Sequence, residues 1–283
     1  MIPRLAVAAV FLMLLSVGCS KKPGPNAVIV KPAAGAFELH MLANGTDDAD
    51  AIAAAEQYFA KTLKDPELAA ELKRRLDAGQ PPPPPVVQGV PFIALGKPCT
   101  YRWAPVSEHA LNSEQLEAKP DDQANTSERY TKLKGARERG VLFDDRGIGY
   151  SRDFGKIWWS RQRPNSTVVD YFLLVRESQA DEDVGAEVTE VVWDPDVAKD
   201  GTHRLDFRLT AVGKSRLADM TTRNRPSGKP ENRGPMRRLA ILIRGRIVSS
   251  ANLLTALTGD VFSLTGGFSS EDVKKLIDLM RGE

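Results

Sequence analysis

Five consecutive prolines, Pro81 to Pro85, divide this chain. No helix or interior strand runs through such a stretch, because proline lacks a backbone N–H and holds φ near −65°. In polyproline II form the run spans roughly 15 Å as a stiff spacer. Its two sides differ in apolar period. Upstream, "FELHML" (residues 37–42) alternates like a short strand, and "NGTDDADAIAAAEQYFAKTLKDPELAAELKRRLDAG" then reads as two helices. Ile52, Ala55, Phe59 and Leu63 share one face of the first; Leu68, Leu72 and Leu76 share one face of the second. Asp65–Pro66 supplies a cap and first-turn proline between them, and Gly79 a stop. Residues 37–80 are therefore expected as a strand plus helical hairpin, 81–85 as the spacer, and 86–180 as a mixed region with β-hairpins.

The last hundred residues are the most regular. "RRLAILIRGRIVSSANL" makes two strands about Arg244–Gly245, with Gly245 where a tight hairpin needs positive φ. "DVFSLTG" adds a strand, and Val273, Leu276, Ile277 and Met280 form an apolar helical stripe. Ser269 with Asp272 three residues on resembles a capping box. Between strand and helix stand Gly266, Gly267 and Phe268. A phosphate-binding loop would need more glycines than this, and "GKS" at 213–215 has Arg208 where that motif requires its first glycine. A structural corner is the better reading, with the glycines turning the chain and Phe268 dropped into the core.

These residues carry a resemblance. "GKSRLADMTTRN" followed by "RRLAILIRGRIVSSANLLTALTGDVFSLTGGFSSEDVKKLIDLMRG" resembles the first periplasmic domain of SecD, a subunit accessory to the bacterial protein-export channel. The positions matching that family's motifs are Gly213, Leu217, Ala218 and Thr221 in one helix. The strand pair contributes Leu239, Ala240, Ile241, Leu242, Gly245, Val248, Ser250 and Ala251, and the last corner Thr265, Gly266, Phe268, Ser269 and Glu271. Arg244 stands where the family has Asp, and Asn252 where it has Pro. The resemblance is strong over 205–282 and weaker upstream. It implies an α+β fold, with a ferredoxin-like C-terminal domain over 181–283 whose helices pack on one face of an antiparallel sheet. It does not bring the membrane-spanning, proton-responsive part of SecD, which has no counterpart here.

The amino-terminal 18 residues carry Arg4, an apolar run from Leu5 to Val17 and then Gly18, the order of a cleaved export signal. The run is too short for the roughly 20 residues a membrane-spanning helix needs. "LLSVGC" resembles the bacterial lipobox, with Ser16 where leucine is usual, which implies a lipid on Cys19. Secretion without a lipid is the alternative. Residues 19–36, with three prolines, suit a tether holding the body off the membrane. By resemblance to lipoprotein sorting, Ser20 favours an outer-membrane, periplasm-facing location.

With Cys19 acylated, Cys99 is the remaining thiol, so no intramolecular disulfide is expected. A formal net charge of +2 over 283 residues makes no electrostatic case for nucleic acid. His40, His109 and His203 are far apart and in no metal-ligand spacing, and no cofactor motif occurs. The stretch "GKIWWSRQRP" joins Trp158 and Trp159 to Arg161 and Arg163, a candidate surface for gripping a polypeptide, glycan or headgroup. The leading reading is a non-enzymatic, lipid-anchored envelope protein that binds unfolded polypeptide or an export-channel component. Two others compete: an envelope hydrolase with its site in 86–180, for which Cys99, His109 and acidic loops such as Asp121–Asp122 and Asp144–Asp145 are the candidates, and a purely structural spacer.

Overall fold

The computed structural model describes residues 15–17, 23–43, 48–85, 93–94, 97–98, 100–107, 148–153, 156–162, 169–177, 183–195, 203–224, 237–265 and 268–282. Its strands are β1 (Leu15–Val17), β2 (Val28–Val30), β3 (Phe37–Leu42), β4 (Ile93–Ala94), β5 (Lys97–Pro98), β6 (Tyr101–Pro105) and β7 (Ile148–Asp153). There follow β8 (Lys156–Gln162), β9 (Val169–Arg176), β10 (Val188–Trp193), β11 (Arg204–Leu209), β12 (Arg238–Ile243), β13 (Arg246–Asn252) and β14 (Val261–Thr265). The helices are α1 (Ala49–Lys64), α2 (Pro66–Asp77), α3 (Ala211–Asn224) and α4 (Ser270–Arg281). The α+β class stands.

One antiparallel sheet runs β1-β14-β11-β10-β2; a second runs β13-β12-β3-β9-β8-β7 with β6 on the far side of β9. β4 and β5 pair with each other. The strands of 181–283 thus divide between two sheets instead of sharing one. The physical reason is β3: it takes the outer side of β12 over five register pairs and draws the β12–β13 hairpin away from β10, β11 and β14. The sheets meet through three rings. Phe207 stacks on Phe262 at 4.8 Å between centroids, and Phe37 of β3 leans on Phe207 at 4.7 Å. Around them lie Leu217 and Met220 of α3 and Val273, Leu276, Ile277 and Met280 of α4, which close the main core.

The second sheet curls on itself. Val106, just past β6, bridges Ile247 of β13, and Ser107 N–H donates to the Ile247 carbonyl at 2.8 Å. Strands β13, β12, β3, β9 and β6 therefore form a closed ring. Period-two alternation sorts its side chains: Leu42, Ala104, Leu173, Val175, Ala240, Leu242 and Ile247 fill the inside. Leu39, Met41, Leu239 and Ile241 face the main core. Tyr101, Trp103, Phe172 and Leu174 face α1 and α2.

Local chemistry explains the elements. Asp65 caps α2, its carboxylate accepting from the Glu67 and Leu68 N–H groups at 2.9 and 3.2 Å. Arg244 and Gly245 both have positive φ, 51° and 72°, which a two-residue hairpin turn requires. Arg244 then donates its Nε to the Leu279 carbonyl, satisfying an orphan acceptor at the end of α4. Ser269 and Asp272 form a reciprocal capping box on α4. "GKS" lies within α3, and a Cβ on Gly213 would fall 2.5 Å from Cβ of Glu187, so the glycine there serves helix packing. Thr221, buried, donates to the Leu217 carbonyl and accepts from Leu257 N–H, fastening α3 to the loop before β14.

Two sequence expectations need correction. The tether does not run free to residue 36: Val28–Val30 pairs with Trp193–Val191, burying Val30 in the main core, and Ala33 N–H donates to the Met280 carbonyl. Nor do the five prolines stand off as a spacer. A polyproline strand keeps its carbonyls unbonded, and Arg75 reaches the Pro81 carbonyl at 3.3 Å while the Trp103 indole reaches that of Pro83 at 3.1 Å.

Candidate functional site

Two polar clusters interrupt this apolar architecture. At one end of the ring, Glu38 and His40 project from the interior side of β3, opposite Leu242 and Ala240 in the register. Arg102 joins them from β6 and Glu177 from just beyond β9. The His40 Nε2 lies 2.9 Å from Glu38 Oε2, and Arg102 Nη2 donates to the same oxygen. That Arg102 nitrogen is also 3.1 Å from His40 Nε2. Nε2 can donate to Glu38 or accept from Arg102, not both, so the imidazole tautomer decides which bond forms. Arg102 Nε is 3.3 Å from Glu177 Oε1. Burial of Glu38 would by itself raise its pKa. The His40 hydrogen bond and the charges of Arg102 and His40 more than offset this, so the pKa is lowered. Glu38 is thus a fixed counter-ion at neutral pH, unsuited to donating a proton.

The second cluster is a joint. Asp48, at the start of α1, is buried, and its side chain does not cap that helix. Its Oδ1 instead accepts from Tyr101 OH at 2.7 Å and lies 4.0 Å from Arg176 Nη1. Arg176 donates onward to Asn224 Oδ1 at 2.6 Å, which Arg237 also reaches. Asn224 closes the chain by donating to the Met220 carbonyl at 2.7 Å. A desolvated Arg–Asp pair is costly unless its remaining donors and acceptors are filled. Here Tyr101 fills one acceptor of Asp48 and Asn224 takes one donor of Arg176. The joint fastens β6, β9 and the start of α1 to the end of α3 and the residue before β12.

The residues singled out in the sequence fall as follows. Trp158 and Trp159 lie on β8, paired with Leu173 and Phe172, and Arg161 is paired with Asp170. Arg163, Cys19, Gly266 and Gly267 lie outside the described residues, as do Cys99, His109, Asp121–Asp122 and Asp144–Asp145. Gly245 sits at the β12–β13 turn, and Phe268 is buried in the main core. His40 belongs to the ring-end cluster, whereas His203 accepts from the Trp193 indole at 3.2 Å. Among the described residues no three His, Cys, Asp or Glu side chains are grouped to hold a metal ion. Sequence reasoning passed over Glu38 and Arg102. A signal existed in "FELHML", where Glu38 and His40 occupy the alternate positions to Phe37, Leu39 and Met41, a polar pair on one face of a strand buried on both.

Comparison with known proteins bears on the C-terminal part of the chain, which contains α3 and α4. The model of the SecDF P1 head subdomain family matches residues 178–283. This C-terminal region is SecD-like. A solved structure of SecDF, described as a membrane component that enhances protein export, is 23% identical over 34% of this chain and 36% of that one, with a TM-score of 0.24. The match thus spans about a third of that solved chain. No curated protein matches. Among the described residues no helix is long and apolar enough to cross a membrane.

Proposed function

We propose that this is a lipid-anchored, non-catalytic protein of the cell envelope whose SecD-like region engages polypeptide undergoing export, or a component of the export channel, on the periplasmic side. The observation that carries this is the family match over residues 178–283. The amino-terminal leader and its lipobox-like "LLSVGC" support the location, with Cys19 as the acylated residue and Ser20 favouring the outer membrane. Trp158, Trp159, Arg161 and Arg163 remain candidate contacts on their residue chemistry. Chemical crosslinking in growing cells, followed by identification of the adducts, tests the reading. Recovery of translocating precursors or channel subunits is the expected result. Recovery of neither would overturn it.

A further inference from the structure

The two edges of the first sheet are built differently. An exposed strand edge offers a row of N–H and C=O groups to any extended chain, and natural sheets blunt such edges with charge or proline. β2 does this: Lys31 and Pro32 follow it directly. β14, "VFSLT", contains no charge or proline, and Asp260 just before it is the one charge adjoining the strand among the described residues. It is also rigid, since five residues pair with β11 and Phe262 and Leu264 are locked in the main core. Its outer side is taken by β1, antiparallel, with Leu15 opposite Leu264, Ser16 opposite Ser263 and Val17 opposite Phe262. Yet β1 lies in the leader that the sequence marks for removal before Cys19.

We infer that the outer edge of β14 is a strand-addition site for an extended apolar segment of another polypeptide, occupied by the chain's own Leu15–Val17 until the leader is cleaved. The inference rests on the polypeptide-binding reading above and gives it a place and a pattern. Backbone hydrogen bonds to an edge strand supply affinity whatever the sequence, while alternate side-chain positions supply selectivity. The positions opposite Phe262 and Leu264 lie on the core face of the sheet, so an incoming segment needs apolar residues at two positions spaced i, i+2. The one between lies opposite Ser263, on the other face of the sheet. β1 meets this pattern in its sequence, with Leu15 and Val17 flanking Ser16. Apolar stretches of unfolded or exported chains meet it routinely; folded surfaces do not.

The test compares the full chain with the chain starting at residue 19, carrying Cys19→Ser so that no lipid is attached. The described core begins at Val30, so the shortened chain keeps it whole. The probe is a lysine-flanked, fluorescent peptide of residues 11–18, FLMLLSVG. A control peptide carries Leu15→Pro and Ser16→Pro, which removes the backbone donors of either register at little cost in apolarity. The shortened chain should bind the first peptide and slow amide exchange across Val261–Thr265. In the full chain β1 competes at an effective concentration on the order of millimolar, so binding should be about tenfold weaker or more. The control peptide should not bind. Equal binding of both peptides, protection elsewhere than β14, or no binding to the shortened chain would overturn the inference. A failed crosslink to export components with peptide binding intact would instead strike the export reading alone.

Discussion

Phe37 lies outside the SecD-like stretch, yet its ring rests 4.7 Å from that of Phe207 and 5.9 Å from that of Phe262, and it is only 3% exposed. If β3 is an integral part of the C-terminal core, Phe37→Ala must loosen strands more than 160 residues away in sequence. Removing a buried phenylalanine side chain costs about 3–5 kcal/mol, from lost apolar transfer and the cavity left between rings that cannot fully collapse. At 1.4 kcal/mol per tenfold, the slowest amides of β11 and β14 should exchange about 100- to 3,000-fold faster. Hydrogen exchange resolved to Arg204–Leu209 and Val261–Thr265 reads this directly. Phe37→Leu, which keeps most of the apolar volume, should show a smaller effect. If Phe37→Ala speeds exchange in those strands by less than about threefold, the SecD-like region folds without β3, and the shared core described above is wrong.

Other outcomes follow from single contacts. Gly213→Ala should destabilise the chain despite a helix-propensity gain of about 1 kcal/mol, because the added Cβ would lie 2.5 Å from Cβ of Glu187 and overpacking costs about 1–3 kcal/mol; a higher denaturant midpoint would refute this. Glu38 has a folded-state pKa below its ordinary 4.5, so its ionised form adds stability above that pH, and the contribution fades as the pH falls through the lowered value. Glu38→Gln should accordingly melt below the parent at neutral pH, with the gap closing under pH 4.5; a gap independent of pH would count against the Glu38–His40–Arg102 cluster. Cys19→Ser should release the protein from the membrane fraction or leave its leader attached, and intact-mass measurement of the wild type should show acyl mass on a chain beginning at Cys19. A mature species that begins elsewhere, or lacks that mass, ends the anchor claim.

Much of the architecture was legible because it is local. The Asp65–Pro66 break, the stripe on α4 and the turn at Arg244–Gly245 depend on residues within a few positions of one another. What could not be read depends on distant partners. β2 looks like part of a tether until the open edge of β10 is available to pair with it. The prolines look like a spacer until Trp103 and Arg75 are brought to their carbonyls. Closure of the ring rests on one bridge between Val106 and Ile247, which no pattern in either segment announces. The ring-end cluster unites His40 with Arg102, 62 residues apart, and only the barrel's curvature brings them within hydrogen-bonding distance. The edge of β14 was hidden differently: its occupant, β1, reads in sequence as a leader, because an apolar run of that length carries no strand alternation.

Site-specific photocrosslinking in living cells tests the function most directly. A benzophenone side chain placed at Thr265, at the end of β14, should capture secretory precursors, and more of them when export is slowed. The same group at Leu254, 46% exposed in the loop after β13, should not. Precursor adducts at Thr265 alone are the expected result. The same adducts at both positions would contradict the β14 edge as the place of contact, and none containing precursor at either would contradict the claim that the SecD-like region of this chain holds polypeptide in export.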